Sequence, residues 1–228
     1  MTEYTDECLA VTNRMGYNKT EVIAMIEKAK KYVVSLLGKD TSGHDHYHVF
    51  RVLKIAEAIA EEESKNAPID MEVVRLMALL HDVDDRKISP QTAENLDNAR
   101  AFLLENRVPA QKADKILEGI RNLSYKGAGD TVPASAEGKC VQDADRLDAL
   151  GAVGIARTFA YGGSRGRPIY IPGDSEGNTG HSIAHFYEKL LRLKDLMNTE
   201  AGKHMAEHRH TFMEQFLEEF YGEWNGEI

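Results

Sequence analysis

Met71-Glu-Val-Val-Arg-Leu-Met-Ala-Leu-Leu80 runs directly into His81-Asp82-Val83-Asp84-Asp85. The first ten residues are apolar almost all round, which marks a helix buried in a core rather than one lying on a surface. The next five place an imidazole and a carboxylate where that buried run stops. Burying either group without a partner is costly. A bound cation would offset that desolvation, and it would need further ligands from elsewhere in the chain.

On either side of this stretch the chain reads as helix. Val22, Ile23, Ile26, Ala29, Val33, Val34 and Leu37 follow Asn18-Lys19-Thr20-Glu21 at helical spacing, and Gly38 closes the run. A third helix begins near Asp45 and carries Val49, Val52, Leu53, Ala56, Ile59 and Ala60, with Lys54, Glu57 and Glu61–Glu63 on its outer face. Residues 5–15 predict a short amphipathic helix before these. Pro90 and Pro109 introduce helices over about 91–105 and 110–123, and residues 124–134 form a Gly-rich loop. The 135–160 region reads as helix again, with Gly151 and Gly154 allowing a neighbour to come close.

Residues 162–180 hold six glycines, two prolines and two arginines. They predict one long loop, strand-like only at Ile169–Ile171. Loops of that length in compact domains are often functional. Helices over about 181–197 and 200–222 complete the chain. Alternating apolar patterns and repeats are lacking, so the expected architecture is all-α. It is a bundle of about eight to ten helices in a single domain spanning 1–228, with its metal-binding core over about 20–160.

Composition narrows the function. A chain of 228 residues can bury a full core. The net charge of −9 argues against a general nucleic-acid or anionic-membrane binder. It leaves room for a small anionic substrate, because a metal and a few basic residues reverse the local field. Cys8 and Cys140 form no spaced cluster, the first thirty residues show no signal-peptide core, and no apolar run approaches a membrane span. The expectation is a cytoplasmic protein without a membrane segment.

His48, His81 and Asp82, with a carboxylate from Asp143-Ala-Asp145-Arg-Leu-Asp148, are candidate ligands on three predicted helices. Two His with two Asp suit Mn2+, Fe2+, Co2+, Ni2+ or Zn2+ better than an all-oxygen Mg2+ or Ca2+ cage. Such a cation acidifies water and polarises a phosphoryl oxygen. Arg51 lies one turn beyond His48, placed to touch phosphate or to pair with Asp82 or Asp148. Lys87, Arg121, Arg146, Lys189 and Lys194, with Arg165 and Arg167 in the long loop, are available to offset phosphate charge. His185 is either a core histidine or a neighbour of the site. His204, His208 and His210 read as a solvated helix face.

The order His48, His81-Asp82, Asp145 resembles the HD superfamily of metal-dependent phosphohydrolases. Three stretches narrow the likeness: His44-Asp45-x-x-His48-Val-x-Arg51-Val52, His81-Asp82-x-Asp84-Asp85-x-Lys87, and Gln142-Asp-Ala-Asp-Arg-Leu-Asp148-Ala-Leu-Gly-Ala. With the late helix His185-Phe-Tyr-Glu-Lys189-Leu-Leu-x-Leu-Lys194, they are similar to the small bacterial HD-domain proteins related to the YpgQ and YedJ nucleotide hydrolases. The likeness spans roughly residues 20–215. It implies metal ligands His48, His81, Asp82 and Asp145, with Asp145 selected over Asp143 and Asp148 by its Ala-Asp-Arg-Leu setting. It implies a catalytic role for Asp82 and for Asp85 as general acid or base, and substrate contacts from Arg51, Lys87, Arg121, Arg146, His185 and Lys189.

One divalent transition metal, manganese first, is the implied cofactor, and a homodimer is a possible assembly. His46 departs from the subgroup, which often has an aromatic residue there. The implied reaction is hydrolysis of a (deoxy)nucleoside triphosphate to monophosphate and pyrophosphate. A nucleoside monophosphate phosphatase and a non-catalytic nucleotide or metal sensor are the alternatives. An oxygen-activating di-iron enzyme would need more ligands than these four.

Overall fold

The structure, a computed structural model, describes residues 19–38, 45–123, 131–173 and 180–227. Among these residues run nine α-helices, one 3-10 helix and no strand. They are α1 (Lys19–Leu37), α2 (His46–Glu63), α3 (Met71–Leu80), α4 (Asp97–Glu105), α5 (Ala110–Leu123) and α6 (Ala136–Asp148). Then come α7 (Gly151–Ser164), α8 (Ala184–Glu188), the 3-10 helix (Leu190–Leu196) and α9 (Glu200–Asn225). The helix expected over 5–15, residue His44 and residues 124–130 of the first Gly-rich loop lie outside the described residues.

α3 is the hub. It packs against α1, α2, α5 and α6, so seven of its ten side chains are buried apolar ones, from Val73 to Leu80. α2 needs only one apolar stripe, because it lies against α3 and α6 and keeps Glu61 and Glu62 outward, while Glu57 pairs with Arg75 and Glu63 accepts from the Ala201 amide. α6 is the unusual member: it is polar in sequence yet buried on most of its surface.

Each polar group of α6 therefore needs a partner. The Gln142 amide donates to the carbonyls of Asn122 and Thr131 at 2.7 and 2.9 Å. Asp143 accepts from the amide of Asn198 and from the amide and hydroxyl of Thr199, which ties α6 to the start of α9. Arg146 donates to the Leu196 carbonyl at the end of the 3-10 helix.

Four expected boundaries shift. The helix expected over 91–105 begins at Asp97, after turns over 90–96. Its start is set by a distant carboxylate: Asp84 accepts from the amides of Asn98 and Ala99 at 3.1 and 2.9 Å. Leu96, at the cap position with φ 58°, has no side chain that could do this. The helix expected over 135–160 is broken into α6 and α7. Gly151 takes φ 70° there, beneath the side-chain stem of Arg209. The segment 181–197 splits into α8 and the 3-10 helix, and the long loop starts at 165 because α7 continues to Ser164.

Candidate metal centre and adjoining cavities

The first turn of α2, the end of α3 and the last turn of α6 meet at one point. Asp45 caps α2 by accepting from the His48 amide at 2.9 Å, which fixes the backbone of that histidine. His81 is the C-cap of α3, where the apolar run gives way to the turn holding Asp82. Asp145 reaches the same point from α6.

The imidazoles present their Nε2 atoms to each other at 3.3 Å. His48 Nε2 is 3.4 Å from Asp82 Oδ2 and 3.3 Å from Asp145 Oδ1. His81 Nε2 is 3.5 Å from Asp82 Oδ1 and 3.9 Å from Asp145 Oδ1. Donors about 2.1 Å from a common centre stand about 3.0–3.4 Å apart at octahedral or tetrahedral angles. The distances among His48, His81 and Asp82 come close to that spacing, and Asp145 meets it toward His48 while standing wider from His81.

The tautomers point the same way. His48 Nδ1 lies 2.7 Å from Asp148 Oδ2, and His81 Nδ1 lies 2.8 Å from the Ala78 carbonyl. Both partners are acceptors, so both Nδ1 atoms carry hydrogens and both Nε2 lone pairs face the carboxylates. Such a set repels itself unless a proton or a cation sits within it. In metal-free protein the proton goes to His48. Burial lowers its pKa, but hydrogen bonds with Asp145 and Asp148 and the nearby Asp82 charge hold it at about 9. Burial pushes Asp145 up, and the His48 bond with the two imidazole charges brings it below its ordinary value. His48, His81 and Asp82 could hold a divalent cation, each offering an atom within 4.8 Å of the others.

Asp148 stands behind His48 with its side chain 2% exposed. Arg51 Nε and Nη2 donate to it at 2.7 and 3.0 Å, and Arg157 Nη1 at 2.6 Å. Burial would raise this carboxyl, but His48, Arg51 and Arg157 hold it well below the usual range. This is the outer support that metal-binding imidazoles commonly have. Arg51 therefore turns to Asp148 and lines neither of the two cavities beside the centre.

One cavity, about 400 Å³, is lined by Lys87, Arg157, Tyr161, Arg167, His185 and Lys189, with Glu188 as its one carboxylate among the described residues. Burial lowers the Lys189 pKa, and Lys87 and Arg157 add to the fall against the pull of Asp145. Burial, with Lys189 and Arg167 close by, holds His185 down at about 4, so it is neutral at pH 7. A second cavity, about 660 Å³, opens on His81 and Asp82 and is lined by Asp85, Glu94, Leu96, Arg121 and Asn122. Asp85 Oδ1 accepts from the Lys87 amide at 2.8 Å.

Of the expected substrate contacts, Lys87, His185 and Lys189 thus share the basic cavity and Arg121 lines the other. Arg146 lines neither, being buried and bonded to the Leu196 carbonyl. Arg157 and Tyr161 were not legible as site residues. Each is one side chain in an ordinary helix, with no motif around it; a lone arginine in apolar α7 was the only signal.

A helical scaffold that gathers two imidazoles and two carboxylates beside a cationic cavity is built for metal-dependent hydrolysis of a phosphate. The HD domain family matches residues 46–150. The chain is 40% identical to YpgQ of Bacillus subtilis over 193 residues, covering 84% of this chain and 89% of YpgQ. An HD-superfamily hydrolase from Bacillus thuringiensis superposes with a TM-score of 0.74 at 45% identity, covering 90% of this chain and 98% of its own. The structure of B. subtilis YpgQ in complex with ADP superposes with a TM-score of 0.71 at 36% identity, covering 89% and 96%. The chain belongs to the HD-domain superfamily of metal-dependent phosphohydrolases. No helix among the described residues is long and apolar enough to cross a membrane.

Proposed function

We propose that the protein hydrolyses (deoxy)nucleoside triphosphates to monophosphate and pyrophosphate, with manganese as its first-choice cation, in the cytoplasm. The observation that carries this reading is the cationic cavity beside the His48, His81, Asp82 and Asp145 cluster. The ADP bound by YpgQ supports a nucleotide ligand here.

His48, His81, Asp82 and Asp145 would hold a divalent cation, which would supply an acidified water and neutralise charge at the phosphoryl group. The protein's own residues do the rest. Asp148, braced by Arg51 and Arg157, keeps the Nε2 lone pair of His48 turned toward the centre. Lys87, Arg157, Arg167 and Lys189 offset the phosphate charge in a site partly withdrawn from water. His185 is neutral and serves as a hydrogen-bond partner. Asp85, with Oδ1 held by the Lys87 amide, offers its other oxygen to a proton at the mouth of the second cavity. Arg121 and Asn122, in that cavity, are placed for the nucleoside end.

The test is product analysis with metal-stripped protein, a series of divalent cations, and nucleoside tri- and monophosphates. The expected products are monophosphate and pyrophosphate, with Mn2+ most effective and nothing formed by His81→Ala. Full turnover in His81→Ala would overturn the mechanism. Orthophosphate from monophosphates would make the protein a nucleotidase instead. Tight nucleotide binding with no product under any cation would make it a sensor.

A further inference from the structure

The ring of Tyr161 has three cations against it. Lys87 Nζ lies 5.8 Å from its centroid, and the guanidinium carbons of Arg165 and Arg167 lie at 5.4 and 5.5 Å. All three fall within the distance at which an aromatic quadrupole attracts a cation. The same three charges repel one another, and against Lys87, Arg157, Arg167 and Lys189 the cavity lining sets the single carboxylate of Glu188 among the described residues.

Two separate segments are shaped to bring these charges together. α7 ends at Ser164, after which the amides of Arg165 and Arg167 both donate to the Gly162 carbonyl at 3.1 and 2.9 Å. Gly166 reverses the chain between them at φ 66°, a conformation that L side chains rarely adopt. The loop is then fastened to the residues before α8, because the amides of Ser182 and Ile183 donate to the carbonyls of Pro168 and Ile169. Lys87 arrives from the turn after α3, its amide held by Asp85. Tyr161, Lys87 and Arg167 all line the basic cavity.

We propose that Tyr161 is the platform of a second anion subsite, formed with Lys87, Arg165 and Arg167, that takes the distal phosphates of a polyphosphate substrate. The proposal rests on the nucleotide reading above and makes Tyr161 a positioning residue. The ring gathers the cations; the distal phosphates supply the negative charge that stabilises the group. A nucleoside monophosphate, with its one phosphate at the metal centre, has nothing to place there.

Calorimetry of the full chain with inorganic tripolyphosphate tests this without turnover. Tyr161→Leu should bind about tenfold more weakly and raise KM for a nucleoside triphosphate about as much. Metal content and Tm should not move, and Tyr161→Phe, which keeps the ring, should restore affinity. Arg167→Gln, which leaves the ring in place, should weaken tripolyphosphate in the same way. Unchanged affinity in Tyr161→Leu, or equal losses in the Leu and Phe variants, would overturn the subsite. Ring-dependent tripolyphosphate binding in a protein that cleaves no nucleotide would instead sink the functional reading and leave the subsite standing.

Discussion

Asp148→Asn removes one negative charge from a side chain that accepts four bonds: one from His48, two from Arg51 and one from Arg157. The amide is nearly the same shape, so no cavity opens. Its oxygen can still accept from His48 Nδ1, but its NH2 group must then face a guanidinium. Breaking a buried ion pair by removing one partner costs about 3–5 kcal/mol. Arg51 and Arg157 are 36% and 24% exposed, so water relieves part of this and the lower end applies.

A loss of about 3 kcal/mol lowers Tm by about 6–12 °C for a chain of this length. The same change loosens His48, and loss of such outer support weakens metal binding about 10–100-fold. The assay is thermal unfolding in chelator, which isolates the fold, followed by Mn2+ titration at a temperature where both proteins are folded. An Asn variant melting within about 2 °C of wild type, with unchanged Mn2+ affinity, would refute the bracing role.

Asp84, two residues from Asp82, should behave quite differently. Asp84→Ala removes the cap of α4 and should destabilise by about 1 kcal/mol, with metal content unchanged; lost metal would move Asp84 into the centre. Chelated protein should lose stability as pH rises. Folded His48 keeps its proton to about 9, whereas an unfolded histidine loses it near ~6.5. That contribution is complete below about pH 6.5 and is gone once pH passes about 9, so Tm should fall across the window. The fall should vanish in His48→Gln and in Mn2+-loaded protein, and a flat profile in chelated wild type would contradict the clustered carboxylates. Cys140 is buried, and burial with nearby Asp143 pushes its thiol to about 12. Iodoacetamide at pH 8 should modify it only after denaturation, which peptide mapping would show.

Much of this was legible in the sequence because two strong signals coincide. The apolar periodicities of α1 and α2 and the nearly continuous apolar run of α3 gave the helices. The polar end of the apolar run at His81-Asp82 pointed to a cation, and the resemblance to HD-domain proteins added His48 and Asp145, which the structure brings to the same point. The rest depended on contacts between distant segments. The helix expected over 91–105 starts six residues later because its start is set by Asp84, not by Pro90. Ala149-Leu-Gly-Ala152 reads as continuous helix, and the break at Gly151 follows from Arg209 lying over it. Arg51 could touch phosphate or pair with Asp82 or Asp148, and packing gives it to Asp148. Arg146 reads as a phosphate contact on charge alone, and packing gives it to the Leu196 carbonyl.

Hydrolysis of a nucleoside triphosphate with Mn2+ in oxygen-18 water, followed by phosphorus NMR, tests the central claim most directly. Attack at the α-phosphorus places the heavy oxygen on the monophosphate and leaves the pyrophosphate unlabelled, which is the predicted result. Label on pyrophosphate or orthophosphate, or the same products from His81→Ala, would contradict it.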